Sequence, residues 1–144
     1  MDALFDEDES LLLETARRVA TDRAATTVAE LEHFDTEGAR AAFAEVGLLG
    51  IRMPEEAGGG GGTTVDAAIV ATSVAEAMLP VSYLGTILAG ELLMAASAPQ
   101  ETLERFTRSD VCLAIGLSRD LTCLWGSDPA SVGSEVIGFD AAGA

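Results

Sequence analysis

A chain of 144 residues is one domain, or one domain and the beginning of a second, and is long enough to bury a core without disulfide or metal staples. Hydrophobic residues make up 49% of it and aromatics only 5%, so the core is aliphatic and suits packed helices, which speaks against an all-β sandwich. Eight basic against twenty-four acidic residues give a formal charge of −16, a solvated acidic surface that repels phosphate backbones and anionic headgroups and excludes nucleic acid as an expected partner.

Asp6 and Glu9 have the spacing of a capping box, and Leu12, Leu13, Ala16, Val19 and Ala20 then recur on one helical face. The pattern predicts a first helix over about residues 8–24, with Glu14, Arg17, Arg18 and Asp22 on its solvent side. Thr36 is the expected N-cap of a second helix through Ala39, Ala42, Phe43 and Val46, and Gly47 stands where a left-handed C-cap is wanted. Pro54 has no amide donor and drives Met53 extended, so residues 50–62, ending in five consecutive glycines, read as a loop. Gly58 to Gly62 lack the preceding strand and the following Lys-Ser or Lys-Thr of a phosphate cradle, and their composition reads as a flexible surface connection.

Thr63 or Thr64 caps a third helix, in which Val65, Ile69, Val70, Val74, Met78 and Leu79 are expected in the core and Asp66, Ser73 and Glu76 on a polar stripe. After Pro80 a fourth helix, over about residues 81–96, carries a single charge, Glu91, and Pro99 opens a short fifth through Leu103 and Phe106. The apolar stretch of the fourth is interrupted by Glu91 and is shorter than a bilayer needs, so no membrane span is predicted. Residues 111–117 form a short apolar run suited to a buried strand, with further strands at 121–125 and 135–139. Three strands are too few for an independent sheet with two good edges.

His33, the single histidine, is flanked by Glu32 and Asp35 in a charged connection and reads as solvated. Cys112 and Cys123 lack histidine neighbours and zinc spacing and are too few for a disulfide framework, so no metal site is predicted. The N-terminus lacks the pattern of a signal peptide, which makes a cytoplasmic location the default. Glu91, alone in an apolar helix, needs a basic partner, a cleft or solvent; pairing or exposure is preferred to catalysis.

The segment from Gly47 to Gly59, GLLGIRMPEEAGG, is similar to the "GL.G...PEE.GG" signature of acyl-CoA dehydrogenases. The resemblance implies a mainly α fold: an N-terminal helical bundle of that type over residues 1–108, then the incomplete opening of the middle β-domain over 109–144. It implies α,β-desaturation of an acyl-CoA thioester, in which a carboxylate removes the α-proton and the β-hydrogen leaves as hydride to N5 of FAD. The family's base lies in a C-terminal domain, so no residue here is assigned as catalytic. The chain, whether the N-terminal portion of an enzyme or a short subunit, is expected to be inactive without that domain or a partner subunit.

By the family pattern Tyr83 and Leu84, at the start of the fourth helix, line the acyl tail, while Ile115, Leu117 and Ser118, around the turn after the first strand, contact the flavin. Arg119-Asp120 replaces the Glu-Pro usual at that turn, and Gly126-Ser127-Asp128 is displaced from its usual place. A homo- or hetero-oligomer with another subunit of this kind is implied. The alternative is a non-enzymatic helical interaction module that binds another protein through the apolar faces of residues 65–97, forming a complex without flavin.

Overall fold

Six helices, one 3-10 turn and three short strands follow one another in the computed structural model, which describes residues 5–116, 124–125 and 134–137. The protein is mainly α. Helix α1 (Glu7–Arg23) begins at the expected capping box: the Asp6 carboxylate accepts from Glu9 N at 2.8 Å, and Glu9 Oε2 accepts from Asp6 N at 3.0 Å. Its Ala16 and Ala20, one turn apart and fully buried, form the small-residue seam along which α1 packs on α4 (Thr64–Glu76). Arg17 Nε and Glu76 Oε2 close the outer edge of that seam at 3.0 Å.

Helix α2 (Val28–Glu32) was not expected. It is capped by Thr27, whose hydroxyl accepts from Glu30 N at 3.2 Å, and none of its residues is buried, so no hydrophobic period announces it. Helix α3 (Thr36–Glu45) is capped one residue earlier than the sequence reading placed it. Asp35, not Thr36, accepts from Gly38 N at 2.9 Å, and its carboxylate also suits the positive end of the helix dipole.

Four helix ends share one closure. After α3, Gly47 N donates to Ala44 O and Leu48 N to Phe43 O, the paired bonds of a Schellman motif around a left-handed Gly47 at φ +77°. The same pair of bonds follows α4, α5 (Tyr83–Ala95) and α6 (Gln100–Thr107), where the left-handed residue is Met78, Ser97 and Ser109. Met78, expected in the core, is therefore 82% exposed: it lies in the reversing turn, outside the period of α4. Val65 is also exposed, because it falls on the side of α4 opposite Ala67, Val70 and Val74. Ser73 is buried instead of solvated, its hydroxyl satisfied by donation to Ile69 O at 3.0 Å.

Strand β1 (Cys112–Gly116) is central in a three-stranded sheet, antiparallel to β2 (Leu124–Trp125) and parallel to β3 (Ser134–Ile137). The helices and the start of this strand enclose two cores. The first gathers α1, α3 and α4 around Phe43, Val70 and Val74; the second gathers α5 and α6 around Met53, Leu93 and Phe106, and includes Val111 and Leu113. The segment after α3 feeds both: Leu48, Leu49 and Ile51 enter the first, Met53 and Ala57 the second.

Candidate functional site

The signature segment folds back on itself as a tied hairpin. Gly60 N donates to Gly50 O at 3.1 Å, Gly61 N to Met53 O at 2.9 Å and Gly62 N to Ile51 O at 2.7 Å. At the tip, the 3-10 turn Glu55–Ala57 is closed by Gly58 N to Glu55 O and Gly59 N to Pro54 O. All five glycine amides are thus donated within the hairpin, leaving none directed at an anion, and the flexible surface connection expected from composition is corrected to a packed, hydrogen-bonded structure. Glycine is required here by close approach: a Cβ on Gly59 would run into the backbone carbonyl of Met53.

Extended backbone alternates its side chains, and Ile51-Arg52-Met53 uses that alternation to reach three places. Ile51 and Met53 go to the two cores. Arg52 lies between them, its Nε 2.6 Å from Glu91 Oε1 on α5 and its Nη1 donating to Gly62 O at 2.6 Å. The one charge of α5 is therefore structurally paired, with the guanidinium side chain 25% and the carboxylate side chain 37% exposed. Gln100, at the start of α6, donates its amide to Glu56 O and closes the hairpin tip from the other side.

Tyr83 and Leu84 are neighbours in sequence, but about 100° of helix rotation turns the first into the core and the second to solvent. Tyr83 is 4% exposed; its hydroxyl donates to Leu48 O at 2.9 Å and its ring tilts on Phe43 with centroids 6.2 Å apart. Burial pushes its pKa well above the ordinary tyrosine value, so the phenol stays a neutral donor. Leu84 is 59% exposed and, with Leu88 one turn on at 43%, forms an outward apolar strip.

Ile115 lies in β1 opposite Trp125 on one side and Ile137 on the other, so its backbone stands between paired strands and not at an open edge. Leu117 and Ser118, together with Arg119-Asp120 and Gly126-Ser127-Asp128, lie outside the described residues. Of the three residues assigned to the flavin, only Ile115 therefore lies among the described residues.

Sequence reasoning passed over two arginines. Arg52 and Glu91 were each visible as a lone charge in apolar surroundings, which is a signal for pairing that neither residue gives alone. Arg40, on α3 between Ala39 and Phe43, donates Nη2 to Val111 O at 3.1 Å and so joins the helices to the entry of β1. An open groove of about 650 Å³ lies between the end of α1, α2 and the start of α3, with Ala24, Ala29 and Phe34 beside Glu30, His33 and Asp35. It contains none of the residues assigned to substrate or flavin, and among the described residues no group of three His, Cys, Asp or Glu is placed to hold a metal ion.

Residues 6–108 match the family described as acyl-CoA dehydrogenase, N-terminal domain. Among solved structures, the chain is similar in fold to the ChsE4-ChsE5 complex from Mycobacterium tuberculosis, with a TM-score of 0.66 and 22% identity. That likeness covers 83% of this chain and 32% of the other, so this chain spans about a third of the length of the one it matches. No curated protein matches. The family match takes in all six helices and the whole glycine hairpin that ties their two cores together, and the chain belongs to the acyl-CoA dehydrogenase family.

Proposed function

We propose that this chain supplies the N-terminal helical part of an FAD-dependent acyl-CoA dehydrogenase, as a portion of a longer protein or as a short subunit, and that it is inactive until a C-terminal domain or partner subunit completes it. The observation that carries this reading is the segment from Gly47 to Gly59, which resembles the family signature, lies within the matched residues 6–108 and, folded into the hairpin, fixes α5 through Arg52 and Glu91. In this reading residues 1–108 are the helical domain and 109–144 open the β-domain, with the first strand docked into the second helical core by Val111 and Leu113.

The acyl-CoA substrate would place its tail along the start of α5, where Leu84 offers exposed apolar surface and Tyr83 backs it from the buried side. FAD, when bound, supplies the hydride acceptor for Cβ, and it would be held chiefly by elements beyond the described residues, with Ile115, Leu117 and Ser118 at its margin. The α-proton would go to a carboxylate outside this chain. The cytoplasm is the expected place for such chemistry, and among the described residues no helix is long and apolar enough to cross a membrane. The ChsE4-ChsE5 structure is itself a complex of two differently named subunits, which supports a hetero-oligomeric arrangement here.

A second reading, a flavin-free interaction module, is favoured by the same outward strip of Leu84 and Leu88. The visible absorption of the purified chain with added FAD, followed through gel filtration alone and after co-expression with its genomic neighbours, separates the two. Flavin bands retained only with a partner are the expected result. Stoichiometric FAD on the isolated chain would refute the need for completion, and a stable partner complex that never retains flavin would favour the module.

A further inference from the structure

Of the four methionines in the chain, Met53, Met78 and Met94 lie among the described residues, and burial separates them sharply. Met53 is 1% exposed in the second core and Met94 packs, partly buried, against that core. Met78 is 82% exposed, more than any other large hydrophobic residue of the helices. A thioether is nucleophilic at sulfur. One that stands in water meets dissolved oxidants directly, while a buried one is reached only when the fold opens around it.

The turn that carries Met78 makes no use of its side chain. Met78 holds the left-handed place after α4 at φ +50°, and backbone alone closes the turn: Met78 N donates to Ala75 O at 3.0 Å and Leu79 N to Val74 O at 3.2 Å. Leu79, 7% exposed, anchors the turn in the first core and leaves Met78 outside it. Glycine suits that φ better than methionine, so the backbone geometry does not account for the residue found there. Met53 is the opposite case. Its Sδ lies 3.0 Å from the place a Gly90 Cβ would take, and an oxygen added to that sulfur would have to displace close-packed core.

We infer that Met78 is a modification site, oxidised to the sulfoxide by oxidants of the peroxide class and restored by thiol-dependent reduction, with the fold left intact. With hydrogen peroxide, a lone pair on the thioether sulfur attacks one peroxide oxygen. The S–O bond forms as the O–O bond breaks, sulfur gives up two electrons, and the departing hydroxide takes the proton of the transferred oxygen and leaves as water. In the return step the sulfoxide oxygen leaves as water while two thiols become a disulfide. The sulfoxide is polar where the thioether was apolar, and the change falls on the exposed turn between α4 and α5, outside both cores. The inference stands on the helical unit alone and is independent of the proposed catalytic role.

Limiting hydrogen peroxide added to the purified 144-residue chain, quenched at intervals and followed by proteolysis and mass spectrometry, reads the sulfoxide at each methionine. Met78 is expected to oxidise at least about ten times faster than Met53, with Met94 between them, and the three rates to converge in denaturing urea, where all are exposed. Protein oxidised at Met78 should keep its helical circular dichroism and its urea midpoint. Methionine sulfoxide reductases for both epimers, with dithiothreitol, should return it to the thioether. A Met78 rate within about twofold of that of Met53 in the folded chain overturns the assignment. So does loss of helical structure once Met78 alone is oxidised, or a Met78 sulfoxide that the reductases leave in place.

Discussion

Replacing Gly59 by alanine tests whether the glycine run is a packed structure. No positive φ burdens this residue, so the penalty is steric: the new methyl group meets the Met53 carbonyl, backbone that has no flexible end to swing away. Moving that carbonyl disturbs two bonds, Gly61 N to Met53 O at 2.9 Å and Gly59 N to Pro54 O at 3.0 Å. At about 1 kcal/mol for each bond, plus about 1–3 kcal/mol for overpacking, less about 0.5–1 kcal/mol for the stiffer unfolded chain, the loss comes to roughly 2–4 kcal/mol. Gly47 is the internal control. It sits at φ +77° with nothing within 4 Å of the place a methyl group would take, so alanine there meets only the left-handed penalty of about 1–2 kcal/mol.

Urea unfolding followed by helical circular dichroism distinguishes the two. With a slope of roughly 2 kcal/mol per molar, Gly59→Ala should lower the midpoint by about 1–2 M and Gly47→Ala by about 0.5–1 M. A Gly59→Ala midpoint no lower than that of Gly47→Ala would refute the packed hairpin and restore the reading of residues 58–62 as a flexible connection.

Met53→Ala empties a fully buried position in the second core and should lose about 2–5 kcal/mol in the same assay. Met78→Gly should do the opposite, gaining about 0.5–1 kcal/mol in melting or urea experiments, because Met78 is exposed and holds a left-handed φ of +50° that glycine adopts without strain. Arg52→Met should lose about 1–3 kcal/mol through its bonds to Glu91 and Gly62 O, whereas Arg17→Met, whose ion pair is half exposed, should lose about 0.5 kcal/mol or less; equal losses would contradict the difference in burial. The hydrogen bonds from Thr26 hold the Glu30 carboxyl below its ordinary 4.5, so its stabilisation is present above that value and is lost as pH falls through the lowered one. Urea midpoints of the parent and Glu30→Gln should therefore differ near neutrality and converge in acid; a gap that widens in acid would give the wrong sign.

What could be read from sequence was whatever has its cause within a few residues. The capping box of Asp6 with Glu9 is a local exchange of two hydrogen bonds and forms as read, and of the two threonines offered as caps for α4 it is Thr63 that accepts from Asp66 N. Helix α2 escaped because it buries nothing. The glycine run escaped for a different reason: its composition speaks of freedom, while its partners are the carbonyls of Gly50, Ile51 and Met53, which no propensity of glycine reveals. Arg52 and Glu91 are separated by 39 positions, so each charge was legible and their meeting was not. Tyr83 and Leu84 were read together because they are adjacent, yet successive residues on a helix point about 100° apart, and here that is the difference between core and solvent.

The hairpin and α5 form one mechanical unit, which explains how a short signature bears on a surface it does not itself form. The start of α5 is held when Tyr83 donates to Leu48 O, just ahead of the hairpin; its middle is held where Glu91 meets Arg52, inside the hairpin. The two ties are about two turns apart along one rigid helix, and Leu84 and Leu88 stand between them. Close packing leaves the buried side of α5 no slack, since Gly90 already lies against Met53 and Phe106, with Met53 Sδ and Phe106 Cε1 each 3.0 Å from the place its Cβ would take. The position of the outward strip is consequently set by backbone carbonyls and glycines of the 48–62 segment. Variation elsewhere in the helices can change what the strip is made of without moving it, whereas a change at Gly59, Arg52 or Met53 moves it whatever it is made of.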